Sequence, residues 1–392
     1  MGKKAVVAGH ICIDFTPVFP AGSGPVKKVS ELLKPGQLIQ MEAPRISTGG
    51  AVANTGMGMK LLGADVRLLG KVGEDDFGRM AADILNHCGL GEDLLVDPAS
   101  ATSYSVVLAI PGLDRIFLHC PGANDSFVAD DIPDSALEGV SLFHFGYPSI
   151  MREMYLHGGE ELKKLFARVR DKGLITSLDL AAVDPDSEAG RADWKEILSG
   201  VLPYVDVFCP SFEELLFMLD RDKYRVLQDR AGDGDMTEIL DLTEDIQPLA
   251  DACLALGARC VLLKCGAPGL YFKASGQMEA LEKVLGIRAD RWQNFSAFEE
   301  SFQIDHVCSA TGAGDISIAA FLTSLLDGAD PEEALSNAAG AGALCCQAYD
   351  PVSGLIPLRE IRRRIEAGWT KRKKSVVVLH GKRGNRHVGE SE

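Results

Sequence analysis

A glycine-rich segment, Thr311-Gly312-Ala313-Gly314-Asp315, precedes the apolar stretch ISIAAFLTSLL, which predicts a helix. Small residues at a helix start leave backbone N–H groups unpaired, and these groups and the helix dipole can bind an anion such as phosphate. Asp315 would lie in the first turn, where its carboxylate could take a proton from a hydroxyl group. The segment therefore predicts phosphoryl transfer with Asp315 as base. An ordinary glycine turn, with Asp315 complementing the helix dipole, fits this motif alone equally well.

A second glycine-containing segment, GGAVAN at residues 49–54, opens another predicted helix. Two glycines at a helix start allow a ligand to approach the backbone closely. The Asn54 amide, one turn into this helix, can both donate a hydrogen bond to a sugar hydroxyl and accept one from it. The following run, LLGKVGEDDFG, supplies further glycine and aspartate residues. These residue types favour a polyol ligand.

The elements that must position these segments alternate along the chain. Short β-rich runs are predicted to be strands at 5–9, 66–71, 142–145, 174–180, 205–209 and 260–264. Amphipathic stretches are predicted to be helices at 51–62, 77–88, 154–172, 213–219 and 245–256. Such alternation is typical of a mostly parallel sheet covered by helices on both faces.

Several regions interrupt this alternation. Residues 36–47 and 101–120 contain strand-like sequence without an intervening helix, so they are predicted to pair as a separate antiparallel sheet that could cover a cleft. Residues 221–243 and 275–306 are polar or irregular, and we expect them to be surface insertions. The basic segment 369–392 is predicted to be a disordered tail after a domain at 1–368.

Charge and cysteine content exclude several classes of function. The net charge of −16, from 40 basic and 56 acidic residues, repels phosphate backbones and argues against nucleic-acid binding. The ten cysteines form no CxxC pair, so we expect reduced thiols in a cytoplasmic protein. Asp14 interrupts the short apolar run after the N-terminal lysines, which argues against a signal peptide. No apolar stretch is long enough to span a membrane.

The GG-N segment with its GxxGxDxxG run, followed far downstream by TGAGD and an apolar helix, resembles the two signatures of the ribokinase-like, or pfkB-type, carbohydrate kinases. The resemblance covers roughly residues 4–366. It implies a ribokinase-like three-layer α/β/α fold with a small β-lid, formed here by segments at about 15–47 and 101–120. It also implies ATP and Mg²⁺, a small-molecule sugar as substrate, and a homodimer formed through the lid.

The resemblance also implies roles for individual residues. It assigns catalysis to Gly312, Ala313, Gly314 and Asp315. It assigns substrate binding to Asp14, Gly49, Gly50, Asn54 and Asn124. The nucleotide contacts are Lys264, Gly266, Gly269, Thr311 and Asn337, and the residue near the metal is Glu214. The chain departs from the family pattern at Ser211, where an asparagine is usual, and at Ser309, where an aspartate is usual. These departures put phosphate positioning through residue 211 and activation by potassium in doubt.

Two other functions remain open from the sequence. A nucleoside kinase on the same scaffold would need an aromatic platform at the lid, for which Phe15, Phe117 and Tyr104 are candidates. A weakly active, sugar-sensing regulatory homologue would fit the changes at Ser211 and Ser309.

Some titratable residues carry no assigned role. The histidines in predicted strands are more often buried structural residues than catalytic ones, although His119 or Arg115 could enter the site from the lid. Asp179 and Asp184 flank the end of a predicted strand, where open α/β sheets bind ligands.

Overall fold

The computed structural model describes residues 2–113 and 116–372. Its strands are β1 (Lys4–Gly9), β2 (Cys12–Val18), β3 (Glu42–Gly49), β4 (Asp65–Gly73), β5 (Leu95–Asp97), β6 (Tyr104–Leu108), β7 (Ile116–Cys120), β8 (Leu142–Gly146), β9 (Ile175–Asp179), β10 (Val207–Phe208), β11 (Cys260–Lys264), β12 (Gly269–Ala274) and β13 (Ser296–Glu300). Nine of them form one sheet in the order β13-β12-β11-β10-β9-β8-β1-β4-β5. All neighbours are parallel except β11-β12 and β12-β13.

The α-helices of the described residues lie mainly between these strands. They are α1 (Val29–Leu32), α2 (Ala51–Leu62), α3 (Asp76–Asn86), α4 (Arg152–Tyr155), α5 (Glu160–Asp171), α6 (Glu188–Arg191), α7 (Trp194–Val201), α8 (Phe212–Leu219), α9 (Arg221–Ala231), α10 (Gln247–Ala255), α11 (Glu279–Leu285), α12 (Ala289–Trp292), α13 (Ala313–Asp327), α14 (Pro331–Cys345) and α15 (Leu358–Glu366). No helix of the part that the structure describes is long and apolar enough to cross a membrane.

Helices cover both faces of the large sheet, as the alternation predicts. In β11, Cys260 and Leu262 belong to the core that packs against α2, α13 and α14, whereas Val261 and Leu263 face the opposite core, formed with α5, α7, α8 and α10. Successive side chains of a strand point to opposite faces, so a strand that is apolar throughout serves both cores. The predicted three-layer α/β/α fold with a mostly parallel central sheet is confirmed.

The small second sheet has the order β3-β2-β6-β7. Its outer pairs, β2-β3 and β6-β7, are antiparallel, but the central pair β2-β6 is parallel, so the sheet is mixed rather than purely antiparallel. The strand that carries Asp14 belongs to this sheet and begins at Cys12, before the predicted lid segment. We call this four-stranded sheet the lid. Arg115, a candidate to enter the site from the lid, lies outside the described residues.

The structure adds to the sequence prediction in several regions. The helix predicted at 154–172 is broken, because Gly158 and Gly159 adopt left-handed conformations between α4 and α5. The predicted insertion 275–306 contains two helices and β13, which extends the sheet. Residues 369–372 pack on the chain near Phe302, past the predicted domain end at 368, which stays a prediction. Residues 373–392 lie outside the described residues.

Candidate active site

Helix α13 begins beside two unpaired backbone amides. Gly312 precedes the helix in a left-handed conformation (φ +76°), and a Cβ there would lie 2.6 Å from Pro351 Cγ, so glycine is required. The Ala313 N–H donates to the Ala310 carbonyl at 3.2 Å, whereas those of Gly314 and Asp315 have no backbone partner among the described residues. Two free N–H groups at the positive end of a helix can bind an anion.

The Asp315 carboxylate connects three distant parts of the chain. Asn54 Nδ2, from α2, donates to Asp315 Oδ2 at 2.9 Å, and the Tyr147 hydroxyl, after β8, donates to both carboxylate oxygens at 2.8 Å. Burial raises the pKa of Asp315, while the Lys264 ammonium and these hydrogen bonds lower it. The GG-N segment and the TGAGD segment therefore meet at one buried carboxylate.

A buried lysine lies on the other side of this helix start. Lys264 Nζ is 2.7 Å from Asp179 Oδ1, and a Cβ at Gly314 would lie 3.5 Å from the same nitrogen. Burial alone would lower the pKa of Lys264, but the carboxylates of Asp179, Glu214 and Asp315 raise it, so the ammonium stays protonated. One cation thus faces the buried carboxyl groups of Asp179 and Asp315 and the half-buried one of Glu214.

The other glycine segment faces the lid. Gly50 has φ +86° at the start of α2, and a side chain at Gly49 would collide with the Asp14 carboxylate. Burial raises the pKa of Asp14. His10, which is 2% exposed, has no hydrogen-bond partner at either ring nitrogen among the described residues, and its ring centroid lies 5.4 Å from that of His119 on the lid. Burial lowers the pKa of His10 to about 3, so the ring is neutral at pH 7.

A cavity of about 600 Å³ adjoins the start of α13, and we call it the large cavity. Predicted site residues that line it are Lys264, Gly266, Gly269, Ala313 and Gly314. Apolar walls come from Phe302, Ile304, Val307, Ala339 and Ala343. A groove with a lysine and a free backbone amide at one end and with apolar walls suits a nucleotide, which has a polar phosphate chain and a flat base.

Nearly the whole chain also matches the model of a known protein family. Residues 3–357 match the family model of the pfkB family carbohydrate kinases. The chain belongs to the pfkB family. It is therefore a sugar kinase, a phosphotransferase with an alcohol group as acceptor.

Individual relatives agree with this family. An uncharacterized sugar kinase of Archaeoglobus fulgidus is 23% identical over 302 residues, which cover 76% of this chain and 98% of the relative. A 2-dehydro-3-deoxygluconokinase of Thermoproteus tenax is 26% identical over 301 residues, covering 75% and 78%. The solved structure of Arabidopsis thaliana ribokinase with ribose and ATP has a TM-score of 0.69 at 20% identity, covering 93% of this chain and 98% of that one. That likeness shows the shared fold.

Two residues assigned by the pfkB resemblance are buried and form hydrogen bonds within the protein. Asn124 is fully buried; its Nδ2 donates to the Ile11 carbonyl at 2.9 Å, and its Oδ1 accepts from the Ile11 N–H at 3.2 Å. Asn337 is 1% exposed, donates to Ser324 Oγ at 3.0 Å and does not line the large cavity. Both amides are occupied by the protein itself, which does not fit the direct ligand contacts expected from the sequence.

Three further residues have structural partners. Thr311 does not line the large cavity, and its carbonyl accepts a weak hydrogen bond from the Cys345 thiol. Asp184 is exposed and accepts from the N–H of Asp186 in a turn, so only Asp179 of that pair reaches the candidate site. His144 is buried, with Nδ1 2.9 Å from Ser177 Oγ, as expected for a structural histidine.

The positions that depart from the pfkB pattern also have local partners. The Ser211 N–H donates to Glu214 Oε2 at 3.1 Å at the start of α8, so one Glu214 oxygen is engaged there. Ser309 Oγ accepts from the Thr311 N–H at 3.1 Å and shapes the turn before Gly312. The Ser309 side chain therefore supports the turn before Gly312, and Ser211 begins α8 beside the Glu214 carboxylate.

Tyr147 is the site residue that the sequence analysis missed. It follows the last residue of β8, at the sheet edge where α/β proteins bind ligands, and its φ of +69° is rare for a residue other than glycine. Such a conformation costs about 1–3 kcal/mol and persists where its surroundings impose it. The position after a strand and before Pro148 was the available signal, but nothing in the sequence links this tyrosine to Asp315.

We expect Tyr147→Phe to move the acidic limb of the kinase pH profile to higher pH. The hydroxyl donates to the ionised carboxylate, so its loss raises the pKa of Asp315, and activity that needs ionised Asp315 then fails at a higher pH. At the pH optimum kcat should fall by about tenfold, the effect of 1.4 kcal/mol. Tyr155→Phe, on α4, is the matched control. An unchanged acidic limb would argue against this coupling.

Proposed function

We propose that this protein transfers the γ-phosphoryl group of ATP to a hydroxyl of a small sugar, with Asp315 as the catalytic base. The observation that carries the proposal is the 2.9 Å hydrogen bond between Asn54 and Asp315, because it joins the candidate sugar segment to the candidate phosphate segment. The two free amides of Gly314 and Asp315 and the Lys264 ammonium lie beside that carboxylate, where they can neutralise a phosphoryl group.

The proposed reaction is an in-line displacement. The sugar oxygen attacks the γ-phosphorus, the bond from that phosphorus to the oxygen bridging the β-phosphate breaks, and ADP leaves. The proton of the attacking hydroxyl passes to Asp315, whose raised pKa makes it a better base than an ordinary aspartate. Asp14 and Asn54 would hold other hydroxyls: Asp14 lies against Gly49, and the Asn54 amide nitrogen lies 3.6 Å from where a Cβ at Gly312 would be.

The acidic residues around Lys264 fit a magnesium ion brought in with ATP. The buried Asp179 Oδ2 has no hydrogen-bond partner among the described residues, and Glu214 adds a second, half-buried carboxylate near the lysine. No group of three metal-binding side chains exists within 2–113 and 116–372, as suits Mg²⁺, which prefers one or two carboxylates plus phosphate oxygens. When bound, Mg²⁺ would neutralise phosphate charge; Asp179 and Glu214 would hold it, directly or through water.

Purified protein should form ADP from ATP only when a suitable acceptor is present. A panel of ketohexoses, pentoses, deoxygluconates and nucleosides would identify the acceptor, with the product confirmed by phosphorus NMR. ATP turnover with a sugar but no nucleoside would support the proposal. Turnover with a nucleoside but with no sugar would mean that the acceptor is a nucleoside. ATP binding without turnover on any acceptor would overturn the proposal in favour of a regulatory protein.

A further inference from the structure

The chain continues beyond the family match and returns to the large cavity. We call residues 369–372, which follow α15, the C-terminal strap; the match to the family model ends at residue 357. The Gln303 N–H donates to the Thr370 carbonyl at 2.9 Å, and the Arg372 N–H donates to the Ser301 carbonyl at 2.8 Å. The strap therefore pairs in an antiparallel manner with the segment after β13.

Aromatic and charged side chains hold the strap against this segment. The Phe302 and Trp369 rings are stacked, with centroids 4.5 Å apart and planes 24° apart. Lys371 Nζ lies 3.3 Å from the centre of the Phe302 ring. Trp369 Nε1 also donates to the Gln303 carbonyl at 2.8 Å. Phe302 is thus contacted by strap residues and at the same time lines the large cavity.

Arg372 extends from the strap into the same cavity. It lines the large cavity, and its Nη2 is 2.7 Å from Glu238 Oε1. Its Nη1 is buried and has no hydrogen-bond partner in the part of the chain that the structure describes. An unpaired buried N–H of a guanidinium is unfavourable, so a ligand that supplies an acceptor atom there would be stabilised.

The position of the strap indicates whether Arg372 lies near the phosphate end of the cavity or near the end for the base. Gly314 and Lys264 mark the end for the phosphates, because they carry the free amide and the ammonium. Phe302, by contrast, belongs to the apolar walls, and it is the residue on which the strap packs. Apolar walls accept a flat base rather than a phosphate chain. Because the Arg372 N–H donates to the carbonyl of Ser301, the neighbour of Phe302, we assign Arg372 to the base end.

We propose that Arg372 binds the nucleoside part of the nucleotide, so that a segment outside the family domain completes the nucleotide site. This inference rests on the proposed use of ATP. Arg372→Ala in the full chain should weaken ATP, ADP and adenosine binding by about tenfold or more each, because a hydrogen bond to a charged group contributes about 1.5–3 kcal/mol. The KM for the sugar should not change. Titration calorimetry with each of the three ligands measures the effect.

Matched variants separate binding from a structural role. Arg359→Ala removes an exposed arginine of α15 and should leave all affinities unchanged. Glu238→Gln breaks the ion pair but keeps the guanidinium; it should retain most of the nucleotide affinity, whereas an equal loss would mean that the ion pair alone matters. Arg372→Lys keeps the charge and tests the guanidinium geometry should the alanine variant fold poorly; we expect weakened binding of all three ligands.

The outcomes also distinguish this inference from the proposed function. Wild-type protein that binds no ATP overturns the proposed function itself. Wild-type protein that binds ATP with the same affinity as Arg372→Ala overturns only the role of the strap. A variant that loses affinity for ATP but not for adenosine would place Arg372 at the phosphates and overturn the assignment to the nucleoside. An ATP-dependent change in tryptophan fluorescence that Trp369→Phe abolishes would support a position of the strap beside the bound nucleotide. The other two tryptophans, Trp194 and Trp292, are fully buried.

Discussion

Asp315→Asn should reduce kcat by about 10²–10⁴-fold while ATP binding stays close to that of the wild type. Asparagine keeps the size and most hydrogen bonds of the side chain, but it cannot take a proton from the attacking hydroxyl. The measurement is steady-state kinetics with the identified sugar, together with calorimetric ATP binding. The residual activity should also lose the acidic limb that ionisation of Asp315 gives the wild type.

The variant should remain as stable as the wild type near neutral pH. The folded state raises the pKa of Asp315, so it holds the proton more tightly than the unfolded chain, and stability falls as pH rises through that pKa. Asparagine does not titrate, so the Asp315→Asn variant does not lose stability in this way. Asp327→Asn, at the other end of α13, is the control: its ion pair with Arg362 is exposed, and its removal should leave kcat unchanged. Near-normal turnover in Asp315→Asn would eliminate this residue as the base.

Lys264→Met should lower kcat by about 10²–10³-fold, the usual effect of losing one group that stabilises charge in the transition state. The same change leaves Asp179 without its cation, and breaking a buried pair from one side destabilises a protein by about 3–5 kcal/mol. A loss of activity could thus reflect unfolding alone, and a second variant is needed.

The double variant Lys264→Met/Asp179→Asn separates these two effects. It removes the uncompensated charge, so thermal stability should recover much of the loss while kcat stays low. Asp179→Asn alone measures the part of the kcat loss that comes from Asp179, the proposed Mg²⁺ residue. Lys273→Met, on β12, is the control, because its ion pair with Asp251 lies nearer the surface. Recovery of kcat together with stability in the double variant would mean that Lys264 acts only as a structural partner of Asp179.

The sequence alone determined the fold class and the two segments that carry the proposed chemistry. Strand and helix positions follow from local periodicity: the predicted helix 51–62 and strand 260–264 agree with the structure. The glycines at 50 and 312 could be recognised as parts of helix starts because that role is local; their positive φ angles are seen only in the structure. Such features depend on neighbours in the chain, which the sequence contains.

Contacts between distant segments were decided only by the tertiary structure. Tyr147 reaches Asp315 across 168 residues, and the strap reaches Phe302 from beyond the family domain. Asn124 and Asn337 match the family motif in sequence, yet their amides bond to Ile11 and Ser324. A hydrogen bond depends on distances of a few tenths of an ångström and on the direction of each side chain. Residue type and spacing determine neither these distances nor these directions. The sequence therefore identified the segments of the candidate site, whereas the tertiary packing determined which atoms form hydrogen bonds.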